Sequence, residues 1–316
     1  AISQTNRRFY DYFKQWFAQV TNPPIDSIRE RSVMSLYKYL GSEDNLLSIA
    51  PTFNGAIRIT SPVLSPNEVL ELYGYHEWFA HKKIICHYKI SGSLSSKLRR
   101  INHDSVQAVQ NGAKIIFLSD EGLKRGTLPV PMPLVVSSVH HYLVEKKLRS
   151  KVSIICITGD VVEDHHIAVL IALGASAVYP YMAYELIREH FRGSDWPEKM
   201  SNYRYALEKG LLKIMSKMGI STISSYHGSM LMHSLCLGPK ISKTYFPSIP
   251  SQLGGIELEH VHDSLLQRYH SAFEKGKDVL VEKGLYRFRK HGEQHGFFPA
   301  IFKKIQSEAA GKQPGK

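Results

Sequence analysis

Asp160, Glu163, His165 and His166 fall within one short stretch that follows Thr158-Gly159. A carboxylate beside an imidazole is the pairing that moves protons near neutral pH, so this cluster is the leading candidate for acid-base chemistry, with Asp160 and His166 as the pair. Asp160 follows an apolar run that reads as a strand, and His165 to Leu173 has the apolar period of a helix. Adjacent helical residues diverge by about 100°, so only one of the two histidines can face a site. A second account needs no chemistry: Asp160 caps the helix, Glu163 completes a capping box at its third position, and His166 packs inward.

Other constellations carry less. Tyr75 to His81 reads YHEWFAH, but the zinc-protease helix needs histidines four apart, and His76 and His81 stand five apart. That spacing separates them by about 140° on a helix. His140-His141 lies inside the apolar helix expected over Leu134 to Leu148 and reads as packing. Gly254-Gly255 has neither the Lys-Ser/Thr of a phosphate loop nor a strand-bounded GxGxxG, which leaves a tight loop before a helix. No G-x-S-x-G elbow occurs, although Gly228-Ser229 follows a strand candidate.

The elements that must position these residues alternate in type from Lys82 onward. Short apolar strands at Ile84 to Ile90, Lys114 to Leu118, Val152 to Ile157, Ser176 to Tyr179 and Ile220 to Ser224 are separated by helical stretches, which predicts parallel strands with helical crossovers. Two strands follow Gly112-Ala113 and Gly174-Ala175, where glycine permits a left-handed helix cap. Strands end in Ser119-Asp120, Thr158-Gly159-Asp160 and Ser224-Ser225-Tyr226, the positions at which a (β/α) barrel carries its functional loops. The expected class is therefore α/β, a degenerate (β/α) barrel-like domain short of eight units. Before this core, Arg7 to Val20 has the apolar spacing of a helix, stopped at Thr21-Asn22-Pro23-Pro24, and Ala56 to Thr60 is a strand candidate. After it, a helix is expected over Leu258 to Phe273, followed by a basic segment, Tyr286 to His295, and a tail, Ser307 to Lys316, of disordered composition. The organisation expected is one domain over residues 1–316, with an irregular N-terminal segment over residues 1–80, a βα core over residues 81–256 and a helical C-terminal segment over residues 257–316.

Composition narrows the classes. The net charge of +12 is spread along the chain rather than gathered in a patch, so no nucleic-acid partner is expected. No run of about eighteen apolar residues suits a membrane span. Three cysteines, Cys86, Cys156 and Cys236, form no CxxC pair, which fits a reducing, cytoplasmic setting and offers no local iron–sulfur site. A start at Ala1 without initiator Met or signal pattern reads as an excised or processed piece.

The string FKQWFAQVTNPPIDSIRE, and within it QVTNPPID (Gln19 to Asp26), closely resembles the start of the central domain of the glutamate synthase large subunit. The resemblance runs on through SPVLS (Ser61 to Ser65), FLSDEG (Phe117 to Gly122), TGDVVEDHHIAVLIALGASAVYPYMAYE (Thr158 to Glu185), KGLLKIMSKMGISTISSYHGS (Lys209 to Ser229) and IPSQLGGIEL (Ile249 to Leu258). Departures are Glu121, where arginine is common, and HGSMLMH (His227 to His233) in place of a GAQIFE-like run.

The resemblance implies a domain related to FMN-linked oxidoreductase barrels but without its own flavin, set between a glutamine amidotransferase domain and an FMN-binding synthase domain. In that family ammonia from glutamine passes through a tunnel and 2-oxoglutarate is aminated and reduced to glutamate. The amidotransferase nucleophile is an N-terminal cysteine, whereas this chain starts at Ala1, and the synthase's flavin segment and clustered cysteines are not found in it, so no catalytic residue is expected here. FMN and the iron–sulfur cluster are expected in the other domain, and those two domains are the expected partners. The family's position for TNPPID, near the tunnel entrance, implies that Thr21 lines the passage and Asn22 fixes it. Pro23-Pro24 suits such a wall by holding the loop extended, and a plain chain reversal accounts for the same residues. The rival readings are an independent barrel enzyme built on Asp160 and His166 and a basic nucleic-acid binder.

Overall fold

The computed structural model describes residues 8–17, 23–26, 28–29, 31–43, 56–75, 79–193, 195–273, 284, 288–290, 292–293, 295–296 and 298–311. Two compact units divide the chain: Phe9–Leu265 in one, and Ala1–Arg8 with Leu266–Lys316 in the other. In chain order the strands are β1 (Phe13–Gln15), β2 (Lys38–Leu40), β3 (Ile57–Ile59), β4 (His81–Ile85), β5 (His87–Lys89), β6 (Ile115–Ser119), β7 (Thr127–Pro129), β8 (Ser153–Ile157), β9 (Ala177–Tyr179) and β10 (Met232–Ser234). The helices are α1 (Pro66–Gly74), α2 (Leu94–Gln110), α3 (Met132–Glu145), α4 (Asp164–Ala172), α5 (Tyr181–His190), α6 (Trp196–Met218), α7 (Ile223–Tyr226), α8 (Pro239–Tyr245), α9 (Leu258–Phe273) and α10 (Pro299–Ala309).

The larger unit is α/β. Its centre is a parallel sheet in the order β4-β6-β8-β9, with α2 crossing from β4 toward β6, α3 from β6 to β8 and α4 from β8 to β9. β6 and β8 are buried at every position, as strands covered on both faces must be. Residues 115, 117, 155, 157, 177 and 179 pack with Leu40 and Ile59 of the β2–β3 pair, Leu64 just before α1, Val69 and Leu72 of α1, Tyr184 of α5 and Met200 of α6. A single parallel bridge, Val63 to Val178, continues the sheet past β9.

Local chemistry fixes the crossovers. α1 begins on a capping box in which Ser65 accepts from the Glu68 amide and Glu68 accepts from the Ser65 amide, with Pro66 in the first turn. The same Glu68 carboxylate takes a two-pronged bond from Arg204 of α6, at 2.9 and 3.1 Å. Gly174, at φ +114°, turns α4 into β9, and a Cβ there would lie 2.2 Å from the His140 ring. Both the backbone angle and the space require glycine.

Several expectations are corrected. Arg7 to Val20 is not one helix among its described residues: Phe9–Tyr12 is a short 3-10 turn and Phe13–Gln15 is a strand paired antiparallel with β10. Pairing with β10 and burial of Phe9, Tyr10 and Phe13 outweigh helical periodicity. The run Ile84 to Ile90 breaks at Cys86, whose N–H bonds to Ser119 in the parallel sheet and whose carbonyl accepts from Val130. The chain thereby leaves the parallel sheet, and β5 pairs antiparallel with β7. Ile220 to Ser224 forms only a bridge at Thr222 to Ser35 before α7 begins. In the tail, Ser307 to Ala309 belong to α10, while residues 312–316 lie outside the described residues.

Candidate functional site

The C-terminal ends of β6, β8 and β9 converge on Asp120. Its carboxylate accepts from Thr158 Oγ1 at 2.6 Å, from the Gly159 amide at 3.0 Å, and from the Tyr181 hydroxyl. The Asp120 residue is only 3% exposed. Burial pushes its carboxyl up to about 6, the three donors pull it back, and Asp160 adds a smaller upward push. A Cβ on Gly159 would lie 3.1 Å from Tyr181 Oη and 3.3 Å from Met182 Cβ, so glycine there lets Tyr181 close over the carboxylate. At the rim Lys83 Nζ donates to Glu121 Oε2 at 2.6 Å, and Ser119 donates to the same oxygen. Glu121 is thus paired. An acid titrating near neutrality has the pKa of a proton-transfer group. Here, however, its oxygens are occupied by the protein's own donors.

The predicted cluster does not assemble around Asp160. The α4 N-cap is Glu163, not Asp160, and it makes no side-chain capping bond. The chain stays non-helical through Val161 and Val162, which moves the start of the helix past the expected cap. His166 is 1% exposed; its Nδ1 accepts from the Val162 amide at 3.2 Å, so Nε2 carries the proton and points at Glu163 Oε1, 3.4 Å away. Its ring stacks on Tyr10 at 4.4 Å. His165 donates from Nε2 to the Tyr10 carbonyl and accepts from Gln15 at Nδ1, at 3.1 and 2.7 Å. Both histidines therefore fasten the Phe9–Gln15 segment. No sequence signal marks Tyr10 or Gln15 as their partners.

At the opposite, N-terminal ends of β8 and β9 sits a second buried cluster. Arg149 donates to the carbonyls of Val152 and Gly174, both at 2.7 Å, and to His140 Nδ1 at 3.1 Å. His227 Nε2 lies 3.0 Å from the same Gly174 carbonyl. Burial draws the guanidinium down to about 10. Burial together with the neighbouring cations depresses His140 to about 3 and His227 to about 2, and burial takes Lys38 to about 8. The expectation that His140 is a packing residue fits this arrangement, and Arg149 is the residue that sequence reasoning missed.

The remaining sequence candidates scatter. Thr21, Asn22 and His76 lie outside the described residues. His81 packs edge-on against Phe117. Gly255 is needed because a Cβ would lie 2.3 Å from the Cys236 carbonyl, as a tight loop requires. Among the described residues no three His, Cys, Asp or Glu side chains come together as metal ligands, and no helix is long and apolar enough to cross a membrane.

A parallel α/β fold whose buried strand-end carboxylate, Asp120, is held by the chain's own donors is the class the geometry defines. The sequence profile of the glutamate synthase central domain matches residues 1–238, and the chain belongs to that family. It is 37% identical over 313 residues to the glutamate synthase (NADPH) large chain of Azospirillum brasilense, covering 96% of this chain and 21% of that protein. It is 34% identical to the glutamate synthase (NADH) of Schizosaccharomyces pombe, covering 98% of this chain and 16% of that one. The chain thus spans about a fifth of the length of these relatives. Among solved structures, the flavin-binding domain of baker's yeast flavocytochrome b2 overlaps 71% of this chain and 47% of its own, with a TM-score of 0.39 and 16% identity. A likeness of that size says nothing about chemistry.

Proposed function

We propose that the chain works as a connector without a redox centre, joining the glutamine amidotransferase and FMN-binding synthase domains of a glutamate synthase and forming a stretch of the ammonia tunnel between them. Glutamate is made from glutamine and 2-oxoglutarate by those neighbours, in the cytoplasm, and they hold the FMN and the iron–sulfur cluster. All of residues 1–316 serves as this one functional segment, with Thr21 and Asn22 at the tunnel wall and no catalytic residue of its own. Neither nucleic acid nor membrane is a partner.

The observation that carries the reading is that Asp120, the buried carboxylate at the strand ends, is held by the chain's own donors. In a (β/α) fold the ligand enters at the C-terminal ends of the strands. Here Tyr181, Thr158 and Gly159 spend their donors on Asp120 instead. The rival enzyme built on Asp160 and His166 is disfavoured because His166 is buried and both its ring nitrogens face partners within the chain.

Two measurements test this. The purified chain mixed with excess FMN and passed through gel filtration is expected to show no flavin band and no rise in melting temperature; retained flavin or clear stabilisation overturns the non-redox assignment. In a full-length glutamate synthase carrying this segment, Thr21→Trp is expected to leave glutamine hydrolysis intact while free ammonia escapes at the expense of glutamate. Unchanged coupling removes Thr21 from the tunnel.

A further inference from the structure

The outer edge of β4 is the open margin of the parallel sheet: among the described residues β4 pairs only with β6. Ala80 accepts from Ile115 and the Cys86 amide reaches Ser119, so by alternation residues 82 and 84 direct their backbone groups to β6. Lys83 and Ile85 direct theirs outward. Ile85 is also 39% exposed, unlike the interior strands of this sheet.

A groove of about 650 Å³ runs along this strand, walled on its other side by α2 and lined among others by Lys82, Lys83, Lys97, Arg100 and Asp104. Lys83 is engaged with Glu121, and Arg100 lies 3.8 Å from Asp104. Among the described residues Lys82 and Lys97 have no carboxylate within ion-pair distance. The groove is therefore cationic beside a strand whose outward groups at Lys83 and Ile85 have no strand partner among the described residues.

We propose that this edge is a docking site for an extended acidic segment, which adds a strand beside β4 and sets carboxylates against Lys82 and Lys97. Strand addition takes affinity from main-chain bonds and selectivity from the flanking side chains. Lysines on an edge ordinarily blunt aggregation. Lys82 on this edge would oppose a second β4 with like charge, and together with Lys97 of α2 it leaves an acidic strand as the complementary occupant. The inference does not depend on the tunnel role, and the two fail separately.

The test uses the whole chain and a fluorescent peptide of about eight residues alternating Glu and Val, read by anisotropy with hydrogen exchange at the Lys83 and Ile85 amides. Saturable binding is expected, with both amides gaining protection. Affinity is expected to fall about tenfold or more, which is 1.4 kcal/mol, when alternate peptide amides are N-methylated, and again in Lys82→Glu/Lys97→Glu with an unchanged far-ultraviolet spectrum. The proposal is overturned by no binding, by equal binding of the N-methylated peptide, by an oligonucleotide that binds as tightly, or by self-association that protects the same amides without peptide.

Discussion

At one end of the parallel sheet Asp120 is buried under Thr158, Gly159 and Tyr181; at the other Arg149 is buried under Val152, Gly174, His140 and His227. Each is a charge removed from water and held by polar groups of the chain. They differ in how the burial is relieved. A carboxylate can take up a proton, and Asp120 does so at about 6, within reach of ordinary pH. A guanidinium holds its proton, and burial first, then the cations beside them, keep His140 and His227 neutral far below their usual range. The C-terminal ends of the strands thus carry the group that can change state, and the N-terminal ends the one that cannot.

The sharpest way to break this contrast is Arg149→Met. It orphans the Val152 carbonyl, while the Gly174 carbonyl keeps His227 Nε2 at 3.0 Å, and with one buried acceptor worth about 1–3 kcal/mol the loss on urea unfolding is expected to be on the order of 2 kcal/mol. A loss near zero would mean that the acceptor finds water and that the cluster is not a clamp.

The second contrast is in the pH dependence. His140 and His227 are depressed in the folded state, so their contribution is complete above about 6.5 and is lost as pH falls toward 3 and 2. Each proton taken up only by the unfolded chain costs about 1.4 kcal/mol per pH unit. Asp120 is raised, so it works the other way: between about 6 and 3.8 the folded state binds the extra proton, and stability is gained as pH falls. Asp120→Asn is expected to steepen the acid loss between those limits and to change stability at pH 7 by about 1–3 kcal/mol, since the amide nitrogen cannot accept from the donors that hold the carboxylate. An unaltered slope would show that Asp120 is already neutral or is not coupled to folding.

Much of the fold is open to sequence reading. The parallel strands, the helices between them, α9 and the glycine at position 174 follow from apolar period and cap chemistry. Asp120 is legible as a strand-end residue, because polar residues after a buried strand must emerge at its end. What escapes is the use to which such ends are put. Asp160 and His166 have the right types and spacing, yet His166 stacks on Tyr10, far away in sequence. Phe9 to Gln15 has a helical pattern and becomes partly strand, because β10 offers a pairing that no local signal announces.

The sequence by itself determined the class, the family and the order of βα units, since these rest on short-range periodicity and on motifs carried residue by residue. Only tertiary structure decided that Asp120 is covered, that the histidines of α4 fasten a distant segment, that Arg149 gathers acceptors from two strand starts, and that the edge of β4 has no strand beside it among the described residues. The physical reason is common to all four: burial and the pairing of polar groups depend on contacts between residues distant in sequence, and local residue patterns do not encode which distant partner arrives.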